Sequence, residues 1–157
     1  MSRKDREPQP DLEKKFSAVK DRIVSQLKAR GGSPDVRLEQ GGYEWIRIAS
    51  NEEEEEGNRA LILHASGRWS GKSAMGGYDL GTPSLYELVQ EYARIKDPKF
   101  IEIELSLLEA RKTKKATEAE SEAARQAYLT KNRTRLLEGL VGQMETVLGE
   151  IRGSTSS

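Results

Sequence analysis

Apolar residues near the start of the chain recur at helical steps. Leu12, Phe16, Val19, Ile23 and Leu27 are spaced by steps of four or three, which sets them on one stripe of a helix beginning at Asp11. Asp11 is placed to cap the first turn, and Gly31-Gly32-Ser33-Pro34 ends the helix. The period then shortens. Val36 and Leu38 alternate with Arg37 and Glu39, Gly41-Gly42 makes a turn, and the stretch 43–49 is rich in aromatic and β-branched residues, so two short strands are expected. Residues 51–58 contain five consecutive glutamates and cannot be a buried element, whereas 59–65 reads as a buried strand; together they predict a hairpin with an acidic tip.

Residues 66–82 hold five of the 14 glycines and show no clear period, which predicts a loop, with a fourth short strand around Tyr78 and Leu80 as an option. Ser84 and Glu87 then stand at capping-box spacing ahead of a helix whose apolar face is Leu85, Leu88, Val89, Tyr92 and Ile95. Asp97-Pro98 starts another helix by the same logic, yet Ile101, Ile103, Leu105 and Leu107 alternate strictly with polar residues as a strand would. Helix is the favoured reading of 100–107, because Asp-Pro is a good start and Leu and Glu are strong helix formers; strand is the alternative. Beyond it, Leu129, Leu136, Leu140, Met144, Val147 and Ile151 form a heptad-like seam on a long C-terminal helix, with Thr117 and Glu120 able to cap a second segment if it breaks.

The expected fold is therefore α+β: an N-terminal helix, a small antiparallel sheet of three or four strands, a covering helix, and a long coiled-coil-like C-terminal helical segment. The organisation expected is a disordered N-terminus (1–10), an α+β core (11–97), a helical C-terminal segment (98–152) and a disordered tail (153–157).

Composition narrows the chemistry. The 157 residues include no cysteine and one histidine, His64, so disulfides, thiol nucleophiles and Cys/His zinc sites are excluded, and no metal or cofactor is expected. No apolar run approaches the ~20 residues that span a bilayer. The first residues carry no apolar stretch of the secretory kind, so a cytoplasmic location and no membrane partner are expected.

Charge is balanced overall, with 26 basic and 26 acidic residues, but not locally. In the C-terminal segment the sign alternates in blocks: Arg111, Lys112, Lys114 and Lys115; then Glu118, Glu120 and Glu122; then Arg125, Lys131, Arg133 and Arg135; then Glu138, Glu145 and Glu150. A second helix displaced by one block would meet opposite charge along its length, which suits a helical hairpin or an antiparallel dimer. Gly139 and Gly142 weaken this helix unless a neighbour approaches closely. The leading functional expectation is a non-catalytic binding or assembly protein that self-associates or docks a protein partner through Leu129, Leu136, Leu140, Met144, Val147 and Ile151.

The Gly-rich loop supports a second expectation. Gly67-Arg68-Trp69-Ser70-Gly71-Lys72-Ser73 resembles a phosphate-binding P-loop but has three residues, not four, before its Gly-Lys pair, and is followed by a poor helix start. A softer version is a cationic loop in which Arg68, Trp69, Lys72 and Tyr78, beside His64, stack bases and contact phosphates of a nucleic acid or a phosphate ligand. Against it, residues 41–70 carry three basic and six acidic groups. A third expectation, a small enzyme, rests on His64 as general base for Ser66 two residues along the strand, without an acidic orienter at a diagnostic spacing.

Overall fold

The structure, a computed structural model, describes residues 8–29, 37–38, 42–43, 45–48, 59–73 and 76–155. Helix α1 (Pro8–Ala29) is followed by strands β1 (Arg37–Leu38), β2 (Gly42–Tyr43), β3 (Trp45–Ile48), β4 (Ala60–His64), β5 (Trp69–Ser73) and β6 (Gly76–Gly81). Helices α2 (Leu85–Lys96), α3 (Pro98–Lys112), α4 (Glu118–Lys131) and α5 (Arg133–Thr155) complete the chain. The α+β fold expected from the sequence is present. The glycine-proline stop after α1, the acidic tip 51–58, the first seven residues and the last two lie outside the described residues.

The sheet is an antiparallel meander in the order β3-β4-β5-β6, with β1 and β2 forming a separate two-stranded ladder. Its register puts Ile46 opposite Leu63, Ile48 opposite Leu61, and Leu63 opposite Trp69. Side chains on a strand alternate faces, so these buried residues share one face, and α1 lies against it: the Phe16 ring stacks on Trp69 with centroids 6.4 Å apart and planes 16° from parallel. The helix stripe read from the sequence packs as expected, with Phe16, Val19, Ile23 and Leu27 buried. The helix starts at Pro8, ahead of Asp11, which stands inside the first turn, where a carboxylate favours the helix dipole.

Much of 66–82 is strand and not loop: β5 was not expected, whereas the optional fourth strand around Tyr78 and Leu80 is present as β6. His64 N–H donates to the Arg68 carbonyl at 2.9 Å, and Ala65-Ser66-Gly67 forms a three-residue turn ending on Gly67 at φ 92°, a left-handed conformation that suits glycine. Gly71 has a different reason to be glycine. It is buried opposite Tyr78, and a Cβ there would fall 2.6 Å from the Tyr78 hydroxyl, so the missing side chain makes room for the tyrosine ring over the strand. At position 71, a glycine that reads as a loop signal is thus clearance for a cross-strand neighbour.

The C-terminal half is helical, delivered as three helices rather than one long one. α3 is a helix despite its alternating apolar residues: Asp97 caps it by accepting from Lys99 N–H at 3.3 Å, and Pro98 occupies its first turn. The Thr117/Glu120 capping box forms, as does the Ser84/Glu87 box of α2. Asp97, only 4% exposed, also accepts from the Tyr128 hydroxyl (2.7 Å) and from Arg135 (3.1 Å), so one carboxylate pins the α2–α3 corner onto α4 and α5.

α5 runs alongside α1, joined to it by the Arg133–Glu13 pair and by Lys15–Glu145 at 3.3 Å. The residues expected to dock a partner are mostly consumed by this packing. Leu129, Leu136, Leu140 and Met144 are 2% exposed or less within the chain's own core; Val147 is half-buried against the same cluster, and the Ile151 side chain lies outside the described residues. The seam that resembles an interface is instead the inner face of an intramolecular helix pair. Gly139 lets α2 approach, since a Cβ there would lie 2.6 Å from the Tyr92 hydroxyl, while Gly142 faces open space. Gly142→Ala is therefore expected to stabilise the protein by about 0.5–1 kcal/mol through helix propensity, whereas Gly139→Ala should lose that gain to a displaced Tyr92. Thermal unfolding of the two variants checks this; equal melting temperatures would count against the close approach.

Candidate functional site

The residues singled out in the Gly-rich segment do not converge. His64 Nε2 and Ser70 Oγ are 2.9 Å apart on the outer face of the sheet, and Ser66, whose hydroxyl oxygen accepts from Arg68 N–H at 3.4 Å, sits on the turn instead of beside His64 on the strand. The proposed His64–Ser66 pair is thus replaced by His64–Ser70, because β4 ends at His64 and the i, i+2 rule no longer applies beyond it. Arg68 pairs with Asp79 at 2.8 Å; the Gly81 amide first, and then the Arg68 guanidinium, hold the Asp79 carboxyl below the usual carboxylate range. Lys72, opposite Ala60, is half-buried. Trp69 is on the other face, 2% exposed and stacked on Phe16, so it offers no platform for a base. Tyr78 also lies on the helix side, over Gly71.

Tyr78 leads to the feature that sequence reasoning missed. A cavity of about 480 Å³ opens between the edge of the sheet and helices α2, α3 and α4. Its floor and rim include Ile95, Ile101, Leu105 and Leu108, and four arginines reach it from four different stretches of chain: Arg59 ahead of β4, Arg94 on α2, Arg111 on α3 and Arg125 on α4. Two carboxylates hold it together. Glu91, buried, accepts from the Tyr78 hydroxyl (2.6 Å) and from Arg94 Nη1 (2.8 Å). Glu104 accepts from Arg94 Nε (3.4 Å) and Arg125 Nε (3.2 Å), and Arg125 continues to Glu122 at 3.0 Å. The chain of charge-assisted bonds from β6 to α4 fixes the Arg94 and Arg125 guanidinium planes beside the apolar residues.

No local motif announces this site, because its arginines are 35, 17 and 14 residues apart (59, 94, 111, 125) and each sits in an unremarkable sequence. The one signal that could have found it is the conflict over 100–107. An alternating pattern wound into a helix spreads its apolar residues around the axis, so that only Phe100 of α3 is buried. Leu105 and Leu108 are left 62% and 53% exposed.

Burial, and secondarily the Glu91 carboxylate accepting its hydroxyl proton, pushes the Tyr78 phenol from its ordinary 10.0 to about 12. A folded value above the unfolded one means that the associated stability is complete below pH 10.0 and is lost as pH rises toward 12. Solvent reaches the ring, so the effect is smaller than for a fully buried phenol. Tyr78→Phe is expected to flatten the alkaline loss of stability over that window and to delete one late step from the phenolate absorbance titration; an unchanged titration would show that Tyr78 ionises elsewhere.

Among the described residues there is no group of three or more His, Cys, Asp or Glu side chains that could hold a metal ion, and no helix is long and apolar enough to cross a membrane. No protein family, curated protein or solved structure matches the chain.

Proposed function

We propose that this chain is a non-catalytic protein-binding module that docks its partner on α3 and the adjoining groove. One observation carries the reading: among the described residues, the exposed large hydrophobics are Tyr78, Leu105 and Leu108, and all three line the same cavity. Isolated exposed leucines are ordinary, but exposed apolar groups gathered on one rimmed concavity are what a docking surface presents. The expectation of a protein-binding role is kept and its location changes, from the buried seam of α5 to α3. The nucleic-acid alternative is weaker, because its stacking residue, Trp69, is committed to the core and Arg68 to Asp79. The enzymatic alternative rests on His64 and Ser66, but His64 bonds Ser70 instead, and none of the three lines the groove.

A photo-crosslinking residue placed at Leu105 or Leu108 tests the proposal in extracts of the native host, with the exposed α4 position Thr130 as control. Discrete protein adducts are expected at 105 and 108 and not at 130; equally sparse adducts at all three would sink the docking surface. In parallel, Leu105→Glu is expected to change unfolding free energy by no more than about 0.5 kcal/mol, as for other exposed positions.

A further inference from the structure

We propose that the partner docked on α3 carries an acidic segment, and that Lys112, Lys114 and Lys115 at the C-terminal end of the helix receive it; this rests on the docking reading above. The lysines continue the docking line. Ile101, Leu105, Leu108 and Lys112 follow one another at steps of four, three and four, which sets them on one face of α3. Leu105 and Lys112 are seven residues apart, so the apolar part of this face gives way to charge within ~10 Å.

The helix end does not need these side chains for its own closure. Thr113 N–H donates to the Glu109 carbonyl at 3.1 Å, Lys114 N–H to the Arg111 carbonyl at 3.1 Å and Lys115 N–H to the Ala110 carbonyl at 2.7 Å, so the backbone satisfies the last turn. Lys114 holds the left-handed position of that motif at φ 61°, the one non-glycine residue with positive φ among the described residues. Glycine would make the same bonds without crowding a Cβ against the backbone, so the Lys114 side chain costs stability that the turn does not require.

Nor does the fold neutralise the cluster. Lys112, Lys114 and Lys115 are exposed, and none forms an ion pair among the described residues. The acids that begin α4 are engaged: Glu118 holds Arg111 at 2.9 Å, and Glu120 accepts from Thr117 N–H at 2.9 Å. Glu109, in the last turn of α3, offsets one charge of the three and leaves the end cationic. The helix dipole accounts for one cation here, and Arg111 already supplies it. Further ammonium groups, placed just past the apolar anchors and turned to solvent, are the chemistry that receives carboxylates of a docked segment.

Decaglutamate titrated into the full chain, followed by amide proton–nitrogen spectra, tests the proposal. Shifts are expected around 112–115, fading as salt rises from about 0.1 to about 1 M and the screening length falls from about 10 to about 3 Å. Lys112→Gln/Lys114→Gly/Lys115→Gln should weaken this binding on the order of tenfold, the sum of three exposed pairs, while far-UV circular dichroism is retained. Lys114→Gly alone separates binding from folding: its melting temperature is expected to rise by about 2–4 °C while its affinity for decaglutamate falls. Absent shifts, or undiminished binding in the triple variant, would each overturn the proposal. Tighter binding of a single-stranded oligonucleotide of equal charge would do so as well, by making the cluster a nucleic-acid site. The two readings fail separately. Crosslinked adducts at 105 and 108 that persist undiminished in the triple variant keep the docking surface and remove the acidic partner; the absence of adducts at both positions sinks the docking surface itself.

Discussion

Trp69→Ala is expected to destabilise the protein by about 3–5 kcal/mol, the range for removing a large buried aromatic. Trp69 is 2% exposed, stands opposite Leu63 in the sheet and stacks on Phe16 of α1, so alanine would open a cavity where the sheet meets the first helix. Neighbours on the sheet can close that cavity little, since Leu61, Leu63 and Ile48 are themselves fully buried and held by strand pairing. Urea unfolding followed by far-UV circular dichroism checks the value, with Tyr92→Phe as a control that keeps a comparable ring. The result also separates two roles for the residue. A base-stacking tryptophan could be removed with little effect on stability, so a loss below about 1 kcal/mol, typical of surface positions, would return Trp69 to the list of ligand-binding candidates.

Periodicity and capping chemistry were legible because they are local. The α1 stripe, the Ser84/Glu87 and Thr117/Glu120 boxes and the Asp97-Pro98 start each lie within a few residues of sequence, and each forms. Cross-strand geometry was not legible. Gly71 reads as flexibility until Tyr78 is seen lying over it, seven residues away along the chain but opposite it in the sheet. The destination of an apolar stripe was also hidden. Leu136, Leu140 and Met144 announce that one face of α5 is covered, and nothing local says whether the cover is α1 or another molecule.

The charge blocks show the same limit. Their alternation predicts helix pairing, and pairs do form within the chain, such as Arg111–Glu118 across the α3–α4 turn and Lys15–Glu145 between α1 and α5. The groove draws on the remaining ambiguity. Its arginines come from separate elements, and its leucines carry no local mark of exposure, because hydrophobicity alone does not distinguish a buried residue from an exposed one. The strand-like alternation of α3 was the local trace of that difference: a pattern at odds with its own helix leaves apolar groups with no internal partner, and such conflicts collect at functional surfaces.

Leu140→Glu is expected to abolish cooperative folding. Leu140 is 0% exposed, on the face of α5 that also buries Leu136, Leu137 and Met144. A carboxylate there has two outcomes. Ionised and unpaired, it costs several kcal/mol in desolvation on top of the lost leucine packing; protonated, it still places a hydroxyl and a carbonyl among aliphatic groups. Either way the loss is about 5 kcal/mol or more, comparable with the total stability of about 5–15 kcal/mol for a domain of this kind. Leu140→Met, close in volume, should cost less than about 1.5 kcal/mol, which separates the effect of charge from that of shape. Leu105→Glu introduces the same group 35 positions earlier, where the leucine is 62% exposed, and should leave the unfolding transition in place. The pair discriminates between two surfaces that look alike in sequence. If the α5 seam were the docking face, Leu140→Glu would yield a folded, soluble protein with a normal melting transition and a binding defect; the packing of α5 against α1 assigns the folding defect to Leu140→Glu, and the docking proposal predicts the binding defect for Leu105→Glu.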